Sequence, residues 1–328
     1  MDAALFLADL ERKPARLAGL AAALRAGDPW GVSEPDAARS WVFVGMGASA
    51  YAAQVAAARL RSHGVRAVAE LASTHLLPQV DAGTTVVAIT ASGGSSETLD
   101  ACRRIRARDV GARFVALTEV SDSPVAGLCD DVVPLWAGPE AGGVACRTFQ
   151  HTLALLLALE ARLLGAGRDA EKVPELLDRA AEASAHLLAT RDTWLADLSE
   201  LLLGPQGTHV VAPAHRLSSA WQSALMLREG PRLPAYACET GDWSHVDVYL
   251  TRTTDYRMLL LPGSRWESEL LRWVRERGST LVAAGGDVPG AAYTLRYPHD
   301  DHDDVRLLTE TLVAELLAAH AWMLNGAI

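Results

Sequence analysis

Lysine is almost absent from this sequence. Of its 30 basic side chains, only Lys13 and Lys172 are lysines, and the others are arginines. Both lysines fall in stretches with a helical pattern, away from the loops in which chemistry is expected. The sequence therefore argues against an enzyme that holds its substrate as a Schiff base on a lysine.

Cysteine, positive charge and long apolar runs are also scarce. Cys102, Cys129, Cys146 and Cys238 are widely spaced and show no metal-binding or redox motif, which predicts reduced cytosolic thiols. The net charge is −10 and the pI is near 5.5, which argues against a nucleic-acid partner. The start has no basic leader and no apolar run reaches membrane-spanning length, so we expect a cytoplasmic protein without a membrane partner.

What the sequence does contain is an alternation of short β-branched runs with helical patterns. This alternation predicts parallel βαβ units in an α/β fold. Predicted strands cover 41–44, 65–71, 84–90, 114–118, 132–135, 209–212, 256–261 and 280–284. Predicted helices cover 3–25, 51–63, 146–164, 173–203, 218–228, 266–277 and 305–324, with a further helix beginning at 97.

The order of these elements in the first half recurs in the second half, which predicts two domains of the same kind. We expect an N-terminal helix over residues 1–34, a first domain over 35–170, a helical linker over 171–204 and a second domain over 205–328. A chain of 328 residues is long enough to build both cores.

The most informative stretch is the turn after the predicted strand 84–90. It carries hydroxyls and glycines from Thr90 to Ser96 and then enters a helix. The N-terminus of a helix presents free N–H groups and partial positive charge, so this turn is suited to hold a phosphate. The alternative is an ordinary capped turn with Ser95 or Ser96 as the N-cap. The stretch matches neither a Walker loop nor a dinucleotide-binding fingerprint.

This turn resembles the phosphate loop of the SIS (sugar isomerase) domains, which runs Ser-x-Ser-Gly-x-Ser/Thr-x-Asp/Glu-Ser/Thr. Thr90 takes the place of the first serine. The resemblance implies two domains, each a three-layer sandwich with a mostly parallel sheet flanked by helices, as in the isomerase unit of glucosamine-6-phosphate synthases. It also implies that a phosphate is bound by Thr90, Ser92, Gly93, Ser95 and Thr98 and by the amides of 93–96. The corresponding turn of the second half, 261–266, lacks these hydroxyls, which predicts one phosphate site per chain.

Two further loops carry the resemblance. Ser49, at the turn before the helix over 51–63, lies where the family places a sugar-contacting serine or threonine; the alternative is an N-cap. Residues 138–149 resemble the family's Gly-Pro-Glu-x-Gly-Val-Ala-Ser-Thr-Lys-x-Phe, with Arg147 in place of the lysine and Ala145 where a serine is expected. The alternative for Arg147, a sugar-binding residue by this resemblance, is a solvated side chain beside a glycine-rich loop.

Glu229 and His245 are the predicted catalytic pair. Residues 225–229 resemble the family's Leu-Lys-Leu-Lys-Glu, whose glutamate moves a proton between C1 and C2, and His245 resembles the histidine that assists opening of the sugar ring. The alternative for Glu229 is a carboxylate at a helix C-terminus, an unfavourable place for an anion. The alternative for His245 is a structural histidine. One of the carboxylates of Glu239, Asp242 and Asp247 is expected to orient it.

The resemblance implies a phosphosugar-binding protein, an aldose–ketose isomerase that acts on a sugar or amino-sugar phosphate. The alternatives are a deglycase or deaminase of a sugar-amine phosphate and a non-catalytic phosphosugar-binding regulator. The synthases also have a glutaminase domain and a C-terminal tail with a Schiff-base lysine. Neither is recognisable here, so we do not expect glutamine-dependent amination. The family also implies a homodimer.

No cofactor and no metal are expected. The run from His299 to Asp304 is rich in histidine and aspartate. Ligands this closely spaced before a helix are more often a solvated acidic cap than a metal site.

Overall fold

The structure is a computed structural model that describes residues 1–165 and 172–326. Its first sheet has five parallel strands in the order β2-β1-β3-β4-β5. These strands are β1 (Ser40–Gly45), β2 (Ala67–Leu71), β3 (Thr84–Ile89), β4 (Arg113–Thr118) and β5 (Asp131–Pro134). Every residue of β3 is buried, as expected for a central strand covered on both faces.

The second sheet has the same topology. Its strands are β6 (Thr208–Ala212), β7 (Ala235–Glu239), β8 (Arg257–Leu260), β9 (Thr280–Ala284) and β10 (Tyr293–Leu295), all parallel, in the order β10-β9-β8-β6-β7. Numbered from its own first strand, this is the order of the first sheet. The predicted fold class, an α/β fold with two repeats that are each a three-layer sandwich of a mostly parallel sheet flanked by helices, is therefore confirmed.

The helices that flank the sheets follow the predicted pattern. In chain order they are α1 (Ala3–Glu11), α2 (Lys13–Ala26), α3 (Ala48–Ser62), α4 (Ser96–Arg106), α5 (Arg147–Leu164), α6 (Val173–Ala189), α7 (Leu195–Leu202), α8 (Leu217–Glu229), α9 (Thr240–Trp243), α10 (Glu267–Arg277), α11 (Asp303–Thr309) and α12 (Thr311–Gly326). Helix α4 packs with Ala101, Cys102 and Ile105 on the face of the first sheet that carries Val42 and Val86. Helix α10 packs with Leu270 and Val274 on the second sheet.

The described chain groups into two compact units, each named here after its sheet. The first-sheet unit consists of Arg16–Pro139 and Arg147–Leu177. The second-sheet unit consists of Met1–Ala15, Glu140–Cys146 and Asp178–Ile328. The predicted boundary at 170 and 171 lies outside the described residues, and the predicted four-part division stays a prediction.

Three long helices of the sequence prediction are interrupted. The helix predicted over 3–25 is α1 and α2, because Pro14 has no N–H to donate to the carbonyl of Leu10. The helix predicted over 173–203 ends at Ala189. There the hydroxyls of Thr190 and Thr193 donate to the carbonyls of His186 and Thr190 at 2.8 and 2.7 Å, in competition with the helical pattern. The last helix is divided at Glu310 into α11 and α12.

The sequence prediction missed the two edge strands of the second sheet. Strand β7 has a mixed pattern of exposed and buried residues, and β10 has only three residues. Short edge strands give a weak periodicity signal because one side of each lacks a neighbouring strand.

The segment Asp303–Leu324 corrects the expectation that no run reaches membrane-spanning length. By length and composition it could cross a membrane, but most of it is buried inside the protein, which is typical of a core helix. Two buried carboxylates, Glu310 and Glu315, interrupt its apolar surface.

One of these carboxylates forms a buried ion pair in the second-sheet unit. The Nζ atom of Lys13 donates to Oε2 of Glu315, and both side chains are fully buried. Burial raises the pKa of Glu315, while Lys13 opposes that rise. The pair therefore depends on the lysine to keep a buried carboxylate charged.

We expect Lys13→Met to lower the free energy of unfolding by about 3–5 kcal/mol, because it leaves a buried carboxylate uncompensated. The double variant Lys13→Met/Glu315→Leu should recover most of this loss. Lys172→Met, at an exposed position, is the control and should change stability by less than about 0.5 kcal/mol. Urea unfolding at pH 7 measures all three, and a Lys13→Met protein as stable as the Lys172→Met control would contradict the assignment.

Candidate functional site

The first sheet places two loops at one edge. Because β1 lies between β2 and β3, the chain leaves β1 and β3 in opposite directions, and such a switch point opens a crevice at the carboxyl ends of the strands. The chain after β1 carries Ser49 in the first helical turn of α3, and the turn after β3 carries residues 90–96. A Cβ atom placed on Gly45 would lie 3.2 Å from the carbonyl oxygen of Ile89, so the two strand ends are in close contact.

The turn after β3 is a capped helix start, which bears out the capping part of the sequence analysis. Ser95 is the N-cap of α4, and its Oγ accepts from the N–H of Thr98 at 3.3 Å and from the Thr98 hydroxyl at 3.1 Å. The Oγ of Ser92 accepts from the N–H of Gly94 at 3.3 Å. Ser92 is exposed and Ser95 is half-buried, whereas Thr90 and Thr98 are buried. Capping does not exclude anion binding, because the exposed hydroxyls and the helix N-terminus lie together.

Gly93 fixes the shape of this turn. Its φ is +67°, and an added Cβ would lie 2.0 Å from the Oγ of Ser123. The carbonyl of Gly93 accepts from the N–H of Val125 at 3.0 Å, and the carbonyl of Ala91 accepts from the N–H of Glu119 at 3.1 Å. The segment after β4 therefore packs against this turn. Only glycine fits at position 93, because a side chain there would collide with Ser123.

An internal carboxylate engages the hydroxyls of the turn. Ser95 and Ser96 donate to Oε2 of Glu97 at 3.0 and 3.1 Å. The pKa of Glu97 is lowered, mainly by its own backbone N–H and then by these two hydroxyls. A phosphate bound at this turn would compete with Glu97 for the hydroxyls of Ser95 and Ser96.

The corresponding turn of the second sheet is closed by its own side chains. The carboxylate of Glu267 accepts from the N–H groups of Gly263 and Ser264, the latter at 2.7 Å. Buried Arg216 donates to the carbonyl of Pro262 and pairs with Glu310. The amides that could receive an anion are thus used internally, which favours a single phosphate site per chain.

Ser49 and Arg147 do not take the alternatives considered for them. The N-cap of α3 is Gly47, without a side-chain cap, so Ser49 is the second helical residue and stands half-buried. Arg147, at the start of α5, is fully buried rather than solvated, and it donates to the carbonyl of Pro139. The guanidinium therefore contacts the backbone of Pro139, and its contact with a sugar stays a prediction.

Glu229 is the last residue of α8 in the second-sheet unit and is half-buried. Its pKa is raised, first by burial and second by the negative charge of Glu140. Glu140 was not among the predicted site residues, although it belongs to the Gly-Pro-Glu motif of residues 138–140 that carries part of the resemblance. A half-buried carboxylate with a raised pKa is a suitable general base, because it binds and releases protons nearer to neutral pH.

The loop that presents Glu140 is held rigidly. Oε1 of Glu140 accepts from the N–H of Cys146 at 2.7 Å, and the N–H of Gly142 donates to Asp9 at 2.7 Å. The amide of buried Gln222 on α8 donates to the carbonyl of Ala145 at 2.8 Å. Ala145, where a serine was expected, therefore attaches the loop to α8 through its backbone carbonyl.

His245 lies on an exposed turn after α9, with its N–H donating to the carbonyl of Asp242 at 2.8 Å. None of the three carboxylates expected to orient the ring bonds to it. Glu239 caps α9 through the N–H groups of Gly241 and Asp242, at 2.7 and 2.9 Å. Within residues 1–165 and 172–326, no side-chain hydrogen bond or ion pair joins His245 to Glu229.

The residues on both sides of His245 are anchored instead. Tyr256 donates to Asp247 at 3.0 Å and accepts from the indole of buried Trp243 at 2.8 Å. Asp247 also contacts the ring of His209 at 3.3 Å. These contacts fix the turn at Trp243 and Asp247, on either side of the exposed imidazole of His245.

The acidic run before α11 acts as a helix cap. Nδ1 of His302 accepts from the N–H of Asp304, and His299 pairs with Glu182 at 2.7 Å. Among the described residues, no group of three histidine, cysteine or acidic side chains is arranged to hold a metal ion.

Comparison with known proteins gives concordant findings. Residues 37–162 match the SIS domain family. A glutamine–fructose-6-phosphate aminotransferase (isomerizing) of Aeropyrum pernix is 30% identical over 218 residues, which are 64% of this chain and 35% of that protein. The chain spans less than half the length of the curated relatives that it matches.

Two solved structures share the fold over nearly the whole chain. The C-terminal domain of glucosamine-fructose-6-phosphate aminotransferase from Francisella tularensis has a TM-score of 0.80 at 20% identity, covering 98% of this chain and 96% of that one. Tagatose-6-phosphate ketose/aldose isomerase from Escherichia coli has a TM-score of 0.80 at 16% identity, covering 100% and 95%.

We expect Gly93→Ala to lower the free energy of unfolding by more than about 1–2 kcal/mol, because a positive φ and the contact with Ser123 both disfavour a Cβ there. Gly94→Ala is the matched control, since its Cβ would meet only the Oγ of Ser92 at 3.7 Å. Gly93→Ala/Ser123→Gly should recover the part due to the contact. Urea unfolding compares them, and equal stability of the Gly93→Ala and Gly94→Ala proteins would refute the close approach.

We expect Glu140→Gln to lower the pKa of Glu229, because the variant keeps an acceptor for Cys146 but removes the neighbouring charge. Burial remains, so part of the rise should remain as well. Carboxyl-carbon NMR titration measures the change, with Glu229→Gln to assign the resonance and Glu269→Gln, at an exposed position on α10, as the control. A Glu229 titration that is unchanged by Glu140→Gln would exclude the interaction.

Proposed function

We propose that the protein binds a phosphorylated sugar or amino sugar and interconverts its aldose and ketose forms, and the proposal starts from the match of residues 37–162 to the SIS domain family. The observation that carries the proposal is the half-buried Glu229, whose pKa burial and Glu140 raise. Proton transfer between neighbouring carbons needs a base of this kind.

The phosphate is assigned to the turn after β3. The hydroxyls of Ser92 and Ser95 and the N–H groups of residues 93–96 supply donors without a basic side chain, which fits a protein of net charge −10. Gly93 sets the backbone, Thr98 supports Ser95 through its hydroxyl, and Thr90 borders the turn. Ser49, in the first helical turn of α3, is assigned to the sugar, and so is Arg147.

The chemistry is assigned to Glu229. The carboxylate takes the proton from C2 of the open-chain aldose, and the C1 carbonyl oxygen receives the electron pair and takes a proton from water, so that an enediol forms. The protonated carboxyl then returns its proton to C1 while the C2 hydroxyl gives its proton back to water, which leaves the ketose with a hydroxyl on C1. His245 is assigned to ring opening, which transfers a proton between the C1 hydroxyl and the ring oxygen.

We further propose a cytoplasmic homodimer. The four cysteines are free thiols, as in a reducing compartment. A related reaction, release of the amine from a sugar-amine phosphate, begins with the same proton transfer, and a regulator that binds without turnover needs only the phosphate turn. The experiment below separates these three.

The test is proton NMR of hexose and hexosamine 6-phosphates incubated with the protein in D₂O. We expect loss of the C2 proton of an aldose, or of a C1 proton of the corresponding ketose, for one sugar in the panel. Glu229→Gln should slow this exchange by about 10²–10⁴-fold and leave binding intact, whereas Ser95→Ala should weaken binding by about tenfold. Glu269→Gln is the control for both.

Three outcomes would contradict parts of this proposal. Release of ammonium or an amine during exchange would favour the deaminase reaction. Binding without exchange of any sugar would favour the regulator. If the Ser95→Ala protein bound the sugar phosphate with unchanged affinity, the assignment of the phosphate to the turn after β3 would be wrong.

A further inference from the structure

Two cysteines that are far apart in the sequence meet in the first-sheet unit. Cys102 lies in the middle of α4 and is fully buried, and Cys129 lies between the short turn Ala126–Leu128 and β5 and is half-buried. Both are free thiols. Cys129 packs against the apolar cluster to which Cys102 belongs.

Arg106 links helix α4 to the segment that contains Cys129. Its Nε donates to the carbonyl of Leu128 at 2.6 Å, and its NH2 group donates to Asp130 at 2.7 Å. These are the residues on either side of Cys129. Because Arg106 follows Cys102 by one helical turn, both side chains leave α4 on the same face. The segment that Arg106 clamps is therefore the one that Cys102 faces.

Asp130 is fixed from a second side as well. Its carboxylate accepts from the N–H of Phe114 at 2.7 Å, and its own N–H donates to the carbonyl of Phe114 at 2.9 Å. Cys129 thus stands in a segment held both by α4 and by β4. Cys129 and Arg106 also lower the pKa of Cys102, Cys129 first, as a hydrogen-bond partner of the thiol, and Arg106 through its charge, while burial opposes both.

We propose that Cys102 and Cys129 are a site of reversible disulfide formation. With hydrogen peroxide as the oxidant, the Cys102 thiolate attacks one peroxide oxygen, the O–O bond breaks, hydroxide leaves and a sulfenic acid forms. The Cys129 thiol then attacks that sulfur, the S–O bond breaks and water leaves. Two thiols and one peroxide give one disulfide and two waters, and an external dithiol reverses the reaction.

The disulfide would connect two segments that contact the turn after β3, helix α4 and the segment before Cys129. Helix α4 begins directly after Ser95, and the segment before Cys129 carries Ser123 and Val125, which contact Gly93. Oxidation would therefore tie the helix that follows the turn to the segment beneath it. A cross-link of this span also restricts the unfolded chain, so the oxidised protein should be the more stable form. The proposal is independent of the reaction assigned above.

The other two cysteines provide internal controls. Burial raises the pKa of Cys238 to about 12 and holds that of Cys146 well above its usual range. Neither has the clamp that Arg106 provides, and a thiol that stays protonated reacts slowly with peroxide. We therefore expect both to remain reduced.

The test treats the reduced full-length protein with one equivalent of hydrogen peroxide, alkylates the remaining thiols after denaturation, and maps peptides by mass spectrometry without reduction. We expect one linked peptide pair joining Cys102 to Cys129, two hydrogens lighter than the reduced pair, with Cys146 and Cys238 alkylated. A dithiol should restore four alkylated cysteines. The melting temperature should rise by about 4 °C or more on oxidation.

Cys129→Ser separates this proposal from general oxidation. The variant should form no cross-link, and its melting temperature should not rise on oxidation. Dimedone should instead trap Cys102 as a sulfenic acid. Four alkylated cysteines in oxidised wild-type protein, or a linked pair that includes Cys146 or Cys238, would overturn the proposal. These readouts on wild-type protein decide the question even if the variant does not fold.

Discussion

The parallel pairing of β1 with β3 is the constraint on which the first-sheet unit depends. A parallel strand must be followed by a crossover, and crossovers that leave two neighbouring strands in opposite directions open a crevice at their carboxyl ends. The hydroxyl-rich turn and the turn with Ser49 lie at that point for this reason. Gly93 completes the arrangement, because its carbonyl meets the segment after β4 with no room for a side chain. The turn is therefore shaped by three strands of the sheet.

The second sheet repeats this constraint with a different result. The strand order is the same, but Glu267 fills the turn after β8 and Arg216 reaches across it from the turn after β6. A buried cation and an internal carboxylate satisfy the groups that an anion would otherwise need to satisfy. The same topology can thus support an open turn or a closed one, and the side chains at the turn decide which it is.

Much of the fold could be predicted because its signals are local. The β-branched run before Thr90 marks a buried strand, and the hydroxyls after it mark a helix cap. Eight strands and a parallel α/β architecture followed from such patterns, and the three-layer arrangement followed from the resemblance of the turn to the SIS domains. The breaks at Pro14 and Thr190 were underestimated because the apolar periodicity continues across them. Strands β7 and β10 were missed because edge strands have little periodicity.

The site was less predictable because its properties depend on contacts between distant residues. Glu140 acts on Glu229 through space, and 89 positions of sequence separate the two. The burial of Arg147 and the meeting of Cys102 with Cys129 are likewise products of packing. The cysteine spacing gave no redox motif, since the clamp by Arg106 exists only in the folded chain.

The buried pair of Lys13 and Glu315 has a practical consequence for handling the protein. Amine-selective reagents act on accessible, unprotonated amino groups, and the Lys13 amine is enclosed and ion-paired. Lys172 is then the exposed lysine of the chain, so an acylating dye or cross-linker would attach there and at the terminal amine. Nearly all the surface cations are guanidinium groups, which such reagents leave untouched. The native fold thereby restricts side-chain conjugation to one position.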